Sequence, residues 1–238
     1  MKHVIVALAT LTMALALPMA AHAQEGDPEA SSERSIDEIK DRARAAIDRR
    51  LDTLDRLTDR VDGASHISPQ HAAALTGDYR AASNGLMGLA GEIENASTVE
   101  ELRTLVPLIA TDYRVYLVIV PKSYEVSASD RVGVAVDSLA GAADRLEAAI
   151  ERATDAGFDA TGAQRWLTSA RDEIAEAKRT GVPVADDVID LDAGDWEEPA
   201  KSTLEEGRRR LDNARIDLRQ AHGSLTKAAA ALRDAING

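Results

Sequence analysis

Residues 201–238 read KSTLEEGRRRLDNARIDLRQAHGSLTKAAAALRDAING, with leucines at 204, 211, 218, 225 and 232, every seventh position. Three residues after each leucine stands a small one: Gly207, Ala214, Ala221, Ala228 and Ala235. A repeat of seven is close to two helical turns, so both series share one face, and their slow drift around a straight helix favours a left-handed wrap around a partner. Small residues at every second position of the seam let that partner's backbone come close. The stretch predicts one long helix packed tightly on another. The partner is an internal neighbour or the same helix of a second copy, and short connections between the preceding helices favour the internal one.

The preceding segments carry the same kind of pattern. A fifth helix, capped by Asp159 or Thr161, carries Ala163, Leu167, Ala170, Ile174 and Ala177 and ends at Gly181. A fourth carries Val132, Val136, Leu139, Ala143, Leu146, Ile150 and Ala153 in steps of four and three and stops at Gly157. A third starts at Thr98, with Glu101 at capping-box spacing, and runs through Leu102, Leu105 and Ile109. It leads into residues 112–122, DYRVYLVIVPK, whose β-branched run would make a strand with no partner in a helical chain; the segment is read as the buried end of the third helix, broken at Pro121. The second helix opens at Ser68-Pro69 with the stripe Leu75, Tyr79, Ala82, Leu86, Leu89 and Ile93. The first opens at Ser35, buries Ile36, Ile39, Ala43, Ile47, Leu51, Leu54, Leu57 and Val61, and has Gly63 for a left-handed exit. The expected fold class is all-α: an elongated antiparallel helical bundle of five to six helices over residues 35–238.

Composition narrows the function classes. The chain has 238 residues, 28 Lys+Arg against 41 Asp+Glu, a formal charge of -13, 3% aromatics and no cysteine. Without Cys there is no disulfide framework, thiolate metal centre or thiol nucleophile. An acidic chain poor in aromatics lacks both the cations that neutralise phosphates and the rings on which bases stack, so nucleic acid is excluded as a partner.

The N-terminus carries an address. Lys2 precedes an apolar run over residues 4–17, shorter than the roughly 20 residues of a spanning helix, and Ala21-His22-Ala23 fits a signal peptidase site. Residues 1–23 are expected to be a signal peptide cleaved after Ala23, and 24–34, rich in Gly, Pro, Ser and acids, a disordered leader. The mature chain is expected to be periplasmic or secreted, with no transmembrane segment; its longest apolar run, residues 115–120, lies between Arg114 and Lys122.

Few constellations can carry chemistry. Asp186, Asp187, Asp190, Asp192, Asp195, Glu197 and Glu198 lie between the fifth and last helices, and of these Asp190, Asp192, Asp195 and Glu197 are candidate ligands for a hard cation such as calcium. Their spacing is not that of a helix-loop-helix calcium loop, since Gly194 takes the third ligand position. The bland reading is a solvated loop with acids near a helix N-terminus. His66 and His71 flank a helix start and are read as solvent-facing. Met87 and His222 do not make a haem site without an attachment motif or aromatic walls. There is no Gly-x-Ser-x-Gly elbow and no phosphate loop, so no catalytic residue and no cofactor is assigned.

Tyr113, Arg114, Tyr116, Lys122 and Tyr124 gather three of the four tyrosines beside the most apolar run. They are either a recognition surface, since Tyr and Arg are favoured interface anchors, or a packed corner in which Arg114 pairs with Asp112 or Asp130. Here Asp112-Tyr113-Arg114-Val115-Tyr116, Pro121-Lys122 and Ala128-Ser129-Asp130-Arg131 resemble a segment of exported bacterial α-helical proteins to which no activity is assigned. The resemblance implies a bacterial exported protein and transfers no functional residue. The expected function is therefore non-enzymatic: a structural or protein-interaction role in the bacterial envelope or outside the cell, as a monomer or as a homodimer through the last helix. The alternative is a cation- or small-ligand-binding protein using the acidic 186–198 segment.

Overall fold

The computed structural model describes residues 28–238; the expected signal peptide, 1–23, and residues 24–27 of the expected leader lie outside the described residues. Among the described residues the chain is all-α, without a strand. Five helices exceed twenty residues: α1 (Pro28–Asp62), α2 (Pro69–Asn95), α5 (Val120–Asp155), α6 (Thr161–Gly181) and α8 (Ala200–Asn237). Between them lie the short α3 (Val99–Leu105), α4 (Leu108–Thr111) and α7 (Val184–Val188), with a π-helical turn at Val115–Ile119 and a 3-10 turn at Ala193–Asp195. Helical backbone from Pro28 corrects the expectation of a disordered leader for residues 28–34.

The long helices pack in two sets. α1 lies along α2, while α5, α6 and α8 pack on one another. Gly162 faces Ala231 and Gly181 faces Ala214, so α6 and α8 run antiparallel; Gly207 lies on Glu125 and Ala214 beside Val132, so α5 and α8 run parallel. The seam read from the last helix is thus filled from within the chain. Its closeness has a measure: a methyl group on Gly181 would stand 2.7 Å from Ala214 Cβ and 2.9 Å from Val132 Cγ1. Helices that approach to backbone contact gain dispersion along their whole length without large side chains. Leu75, Leu86 and Leu167, each fully buried, supply the larger apolar contributions, about 1.5–3 kcal/mol apiece.

Helix ends are satisfied in the ways local chemistry dictates. Ser68 Oγ accepts from His71 N–H at 3.1 Å, with Pro69 opening α2. Thr98 and Glu101 form a reciprocal capping box at α3. α6 has no side-chain cap at Ala160, although Asp159 Oδ1 accepts from Thr161 N–H at 3.0 Å. Its last carbonyls are met from other helices: Ser129 Oγ lies 2.9 Å from Gly181 O and 2.7 Å from Val182 O, and Arg210 Nε donates to Thr180 O at 3.0 Å. The left-handed exit expected at Gly63 is not adopted, whereas Gly157, where the fourth helix is expected to stop, takes one with φ of 88°.

Residues 112–122 depart from expectation. The third helix ends at Leu105, and the break falls not at Pro121 but at Arg114, whose φ of 36° and ψ of 40° are left-handed. From Val115 the backbone winds through the π turn straight into α5, so the apolar run belongs to the helix expected as the fourth rather than to the third. Pro121 is the second residue of α5, where a missing amide is tolerated, and the wider π turn before it relieves the ring. A window within Val99–Asp155 is apolar enough to cross a membrane by length and composition. Its backbone is interrupted around Val106-Pro107 and again at Arg114, whereas a lipid-exposed span needs every backbone group satisfied internally.

Candidate functional site

The residues of the 113–124 cluster come together where the π turn enters α5, but they do not share a direction. Lys122 points inward and is 2% exposed. Its ammonium donates to Asp78 Oδ2 at 2.5 Å, Ile189 O at 3.1 Å and Leu191 O at 2.6 Å, so all three protons are engaged. The three acceptors belong to α2 and to the segment after α7, and one cation therefore ties both to α5. Beside it, Tyr79 O–H donates to Ser123 Oγ at 2.7 Å and Ser123 O–H to Ile119 O at 2.5 Å. Burial pushes the Tyr79 hydroxyl up to about 12, so it stays a donor at any physiological pH.

Tyr113 lies flat on α2. Its ring occupies the space that a side chain at Gly85 would fill, which is why that position of α2 is glycine. Gly85→Ala is expected to displace the ring and lower stability by about 1–3 kcal/mol, read as a lower urea midpoint; an unchanged midpoint would show that the ring swings away freely. Arg114 NH1 donates to Ala193 O at 3.1 Å. The pairing of Arg114 with Asp112 or Asp130 expected from sequence is not formed.

Tyr116 and Tyr124 turn outward toward α1. Arg50 stands over the Tyr116 ring at 5.2 Å and Arg60 over the Tyr124 ring at 4.8 Å, and Tyr116 O–H donates to Arg49 O at 3.2 Å. Both tyrosines and Leu117 remain exposed. The cluster is thus a packed corner on one side and an aromatic surface on the other.

Asp130 serves a histidine. His71 Nδ1 is 2.9 Å from Asp130 Oδ1 and its Nε2 is 3.3 Å from Asp186 Oδ1, while Asp130 also accepts from Ser68 N–H at 2.8 Å. His71 is therefore not the solvent-facing residue expected from sequence. Burial disfavours its cation, but Asp130 and Asp186 outweigh that and hold it above its ordinary value of 6.5. The stability this gives is fully present below about 6.5 and fades as pH rises through the raised folded value. Asp130→Asn is accordingly expected to cost more at pH 6 than at pH 9 in paired urea titrations; equal losses would remove the imidazolium from the account.

The acidic candidates are dispersed. Asp192 Oδ1 accepts from Gly194 N–H at 2.6 Å and Asp195 Oδ2 from Asp192 N–H at 2.9 Å, a capping box that occupies both carboxylates with their own turn. Asp190 and Glu197 are exposed, and Asp187 pairs with Arg210 at 2.5 Å. Among the described residues no group of three or more His, Asp or Glu is placed to hold a metal ion.

Sequence reasoning missed Glu125. It is 7% exposed, its Oε2 lies against Gly207 where a side chain would otherwise sit, and that oxygen has no hydrogen-bond partner among the described residues. Burial lifts the carboxyl to about 7, with Arg208 pulling the other way. The available signal was a glutamate one turn past Pro121, among Lys122, Val126 and Ser129, which are all buried. No protein-family model, curated protein or solved structure matches this chain, so what it does is to be read from its own side chains.

Proposed function

We propose that this chain is a non-enzymatic protein, exported from a bacterial cytoplasm, that works by interaction in a structural or protein-binding role in the envelope or outside the cell. The observation that carries the reading is the division of labour at the 113–125 corner. Lys122, Asp78, His71, Asp130 and Arg114 spend their hydrogen bonds holding one segment to another, while Tyr116, Leu117 and Tyr124 face outward. An exposed aromatic and aliphatic group beside arginines is the composition that protein interfaces favour. Occupation of the α8 seam by α5 and α6 supports a monomer over a dimer through that helix. The Ala21-His22-Ala23 site and the net charge of -13 support export and a partner other than nucleic acid. A cation-carrying role for residues 186–198 has less support, because two of its carboxylates cap their own turn.

The test is to express the full chain in a bacterium with a photo-crosslinking residue at Leu117, and separately at exposed Asp172 on α6. The expected result is a mature chain beginning at Gln24 outside the cytoplasm, with a discrete protein adduct from position 117 alone. Full-length chain retained in the cytoplasm would sink the export reading. Identical adducts from both positions would sink the interaction surface.

A further inference from the structure

Next to the outward tyrosine is a cavity of about 460 Å³, within the 300–1,000 Å³ range of small-molecule sites. It lies between the π turn, the start of α5, Trp196 and the first turns of α8. Its walls are Leu117, Pro121, Trp196 and Leu204, an apolar lining for a hydrocarbon or ring. Glu125 lines it from within, as a carboxyl more than nine-tenths buried whose Oε2 has no partner among the described residues. An orphaned buried polar atom is costly and asks for an explanation.

The rim carries the opposite sign to the protein. Lys201, Arg208 and Arg209 stand around the opening with Glu205, a local cationic excess on a chain of net charge -13. Arg209 is paired with Glu206. Lys201 and Arg208 have no ion-pair partner within 4.0 Å among the described residues. Two uncommitted cations above apolar walls complement a ligand with one anionic head and an apolar body, and a carboxyl in its neutral form below them donates a hydrogen bond that a carboxylate accepts.

We propose that this cavity binds a small monocarboxylate with an apolar tail, its head group held by Arg208 and Lys201 and its tail laid on Leu117, Pro121, Trp196 and Leu204. The site is distinct from the acidic 190–197 candidates, which hold no lining position other than their neighbour Trp196. Because burial holds the Glu125 carboxyl near 7, the bound anion meets a neutral neighbour in mildly acidic solution and a charged one in alkaline solution. The groups facing it are Lys201, Glu205, Arg208 and Arg209 from α8 and Tyr116 from the π turn.

Trp196 supplies the readout. In the otherwise intact chain, Trp166→Phe leaves Trp196 as the single tryptophan. Octanoate is expected to shift its emission saturably, and octylammonium at the same concentrations is expected to leave it unchanged. Arg208→Gln, at an exposed position that does not endanger folding, is expected to weaken octanoate by about tenfold, the size of one lost charged contact. Affinity should fall between pH 6 and pH 8 by up to about tenfold in all as Glu125 ionises, and Glu125→Gln should level that fall. No saturable change up to about 10 mM octanoate, or equal binding of octylammonium, would overturn the proposal.

Discussion

Replacing Lys122 with alanine is expected to destabilise the fold by about 3–5 kcal/mol, more than any other single change at the corner. The ammonium is buried, and its three protons go to Asp78 and to the carbonyls of Ile189 and Leu191. Truncation empties the volume of the side chain and leaves two carbonyls in the interior without donors, each costing about 1–3 kcal/mol. Asp78 is partly exposed, so water recovers part of that third loss, which is why the estimate stops short of the sum of its parts. Chemical denaturation is the measurement: a lower urea midpoint with unchanged slope is expected for Lys122→Ala, and a smaller shift for Asp78→Asn, which spares both carbonyls. A loss under about 1 kcal/mol for Lys122→Ala would mean that the ammonium reaches solvent and ties nothing.

The second large effect is a dependence on pH centred on Glu125. Its folded carboxyl titrates at about 7 against an ordinary 4.5, because burial penalises the anion. Below 4.5 both states hold the proton and the stability is complete; between 4.5 and 7 only the folded state holds it, so stability falls as pH rises; above 7 the loss is complete. The shift corresponds to about 3–3.5 kcal/mol at about 1.36 kcal/mol per unit. Glu125→Gln keeps the shape and removes the charge. It is expected to match the native chain near pH 4.5 and to exceed it by about 3–3.5 kcal/mol at pH 8 in urea titrations. Parallel stability curves for the two proteins would show that the carboxyl is solvated in the folded state. Loss of Arg208, which now opposes the shift, should raise the folded value further, so that the decline runs on to higher pH and becomes larger.

How much of this could be read in the letters depends on range. Leu75, Tyr79, Ala82, Leu86, Leu89 and Ile93 form a stripe with helical spacing, and all six are buried, because periodicity reports which face of a helix meets the rest of the chain. Caps at Ser68 and Thr98 are equally legible, being contacts between residues three apart. The corner is not. Lys122 meets Asp78, 44 residues earlier, and His71 meets Asp130, 59 residues later; no local pattern marks either partner. Residues 112–122 read as the end of the third helix, and the structure gives their apolar run to α5, for a related reason. Proline announces a break, whereas a left-handed arginine announces nothing, and Pro121 sits harmlessly in a first turn. The acidic segment misleads in the other direction. Asp192 and Asp195 resemble ligands in composition, but each is within reach of a backbone amide of its own turn, which is the nearer partner.

The Gly and Ala seam between α6 and α8 also bears on how this chain can change over generations. At Gly181 even one added methyl meets Ala214 and Val132, so drift toward larger residues is closed there, while the Asp and Arg faces outside tolerate exchange. Descendants would hold fast to the small letters and lose the rest. Alanine is the commonest resident of any helix, so the positions least free to vary carry the least distinctive mark of ancestry, and kinship in such a fold fades from the sequence long before the helices part.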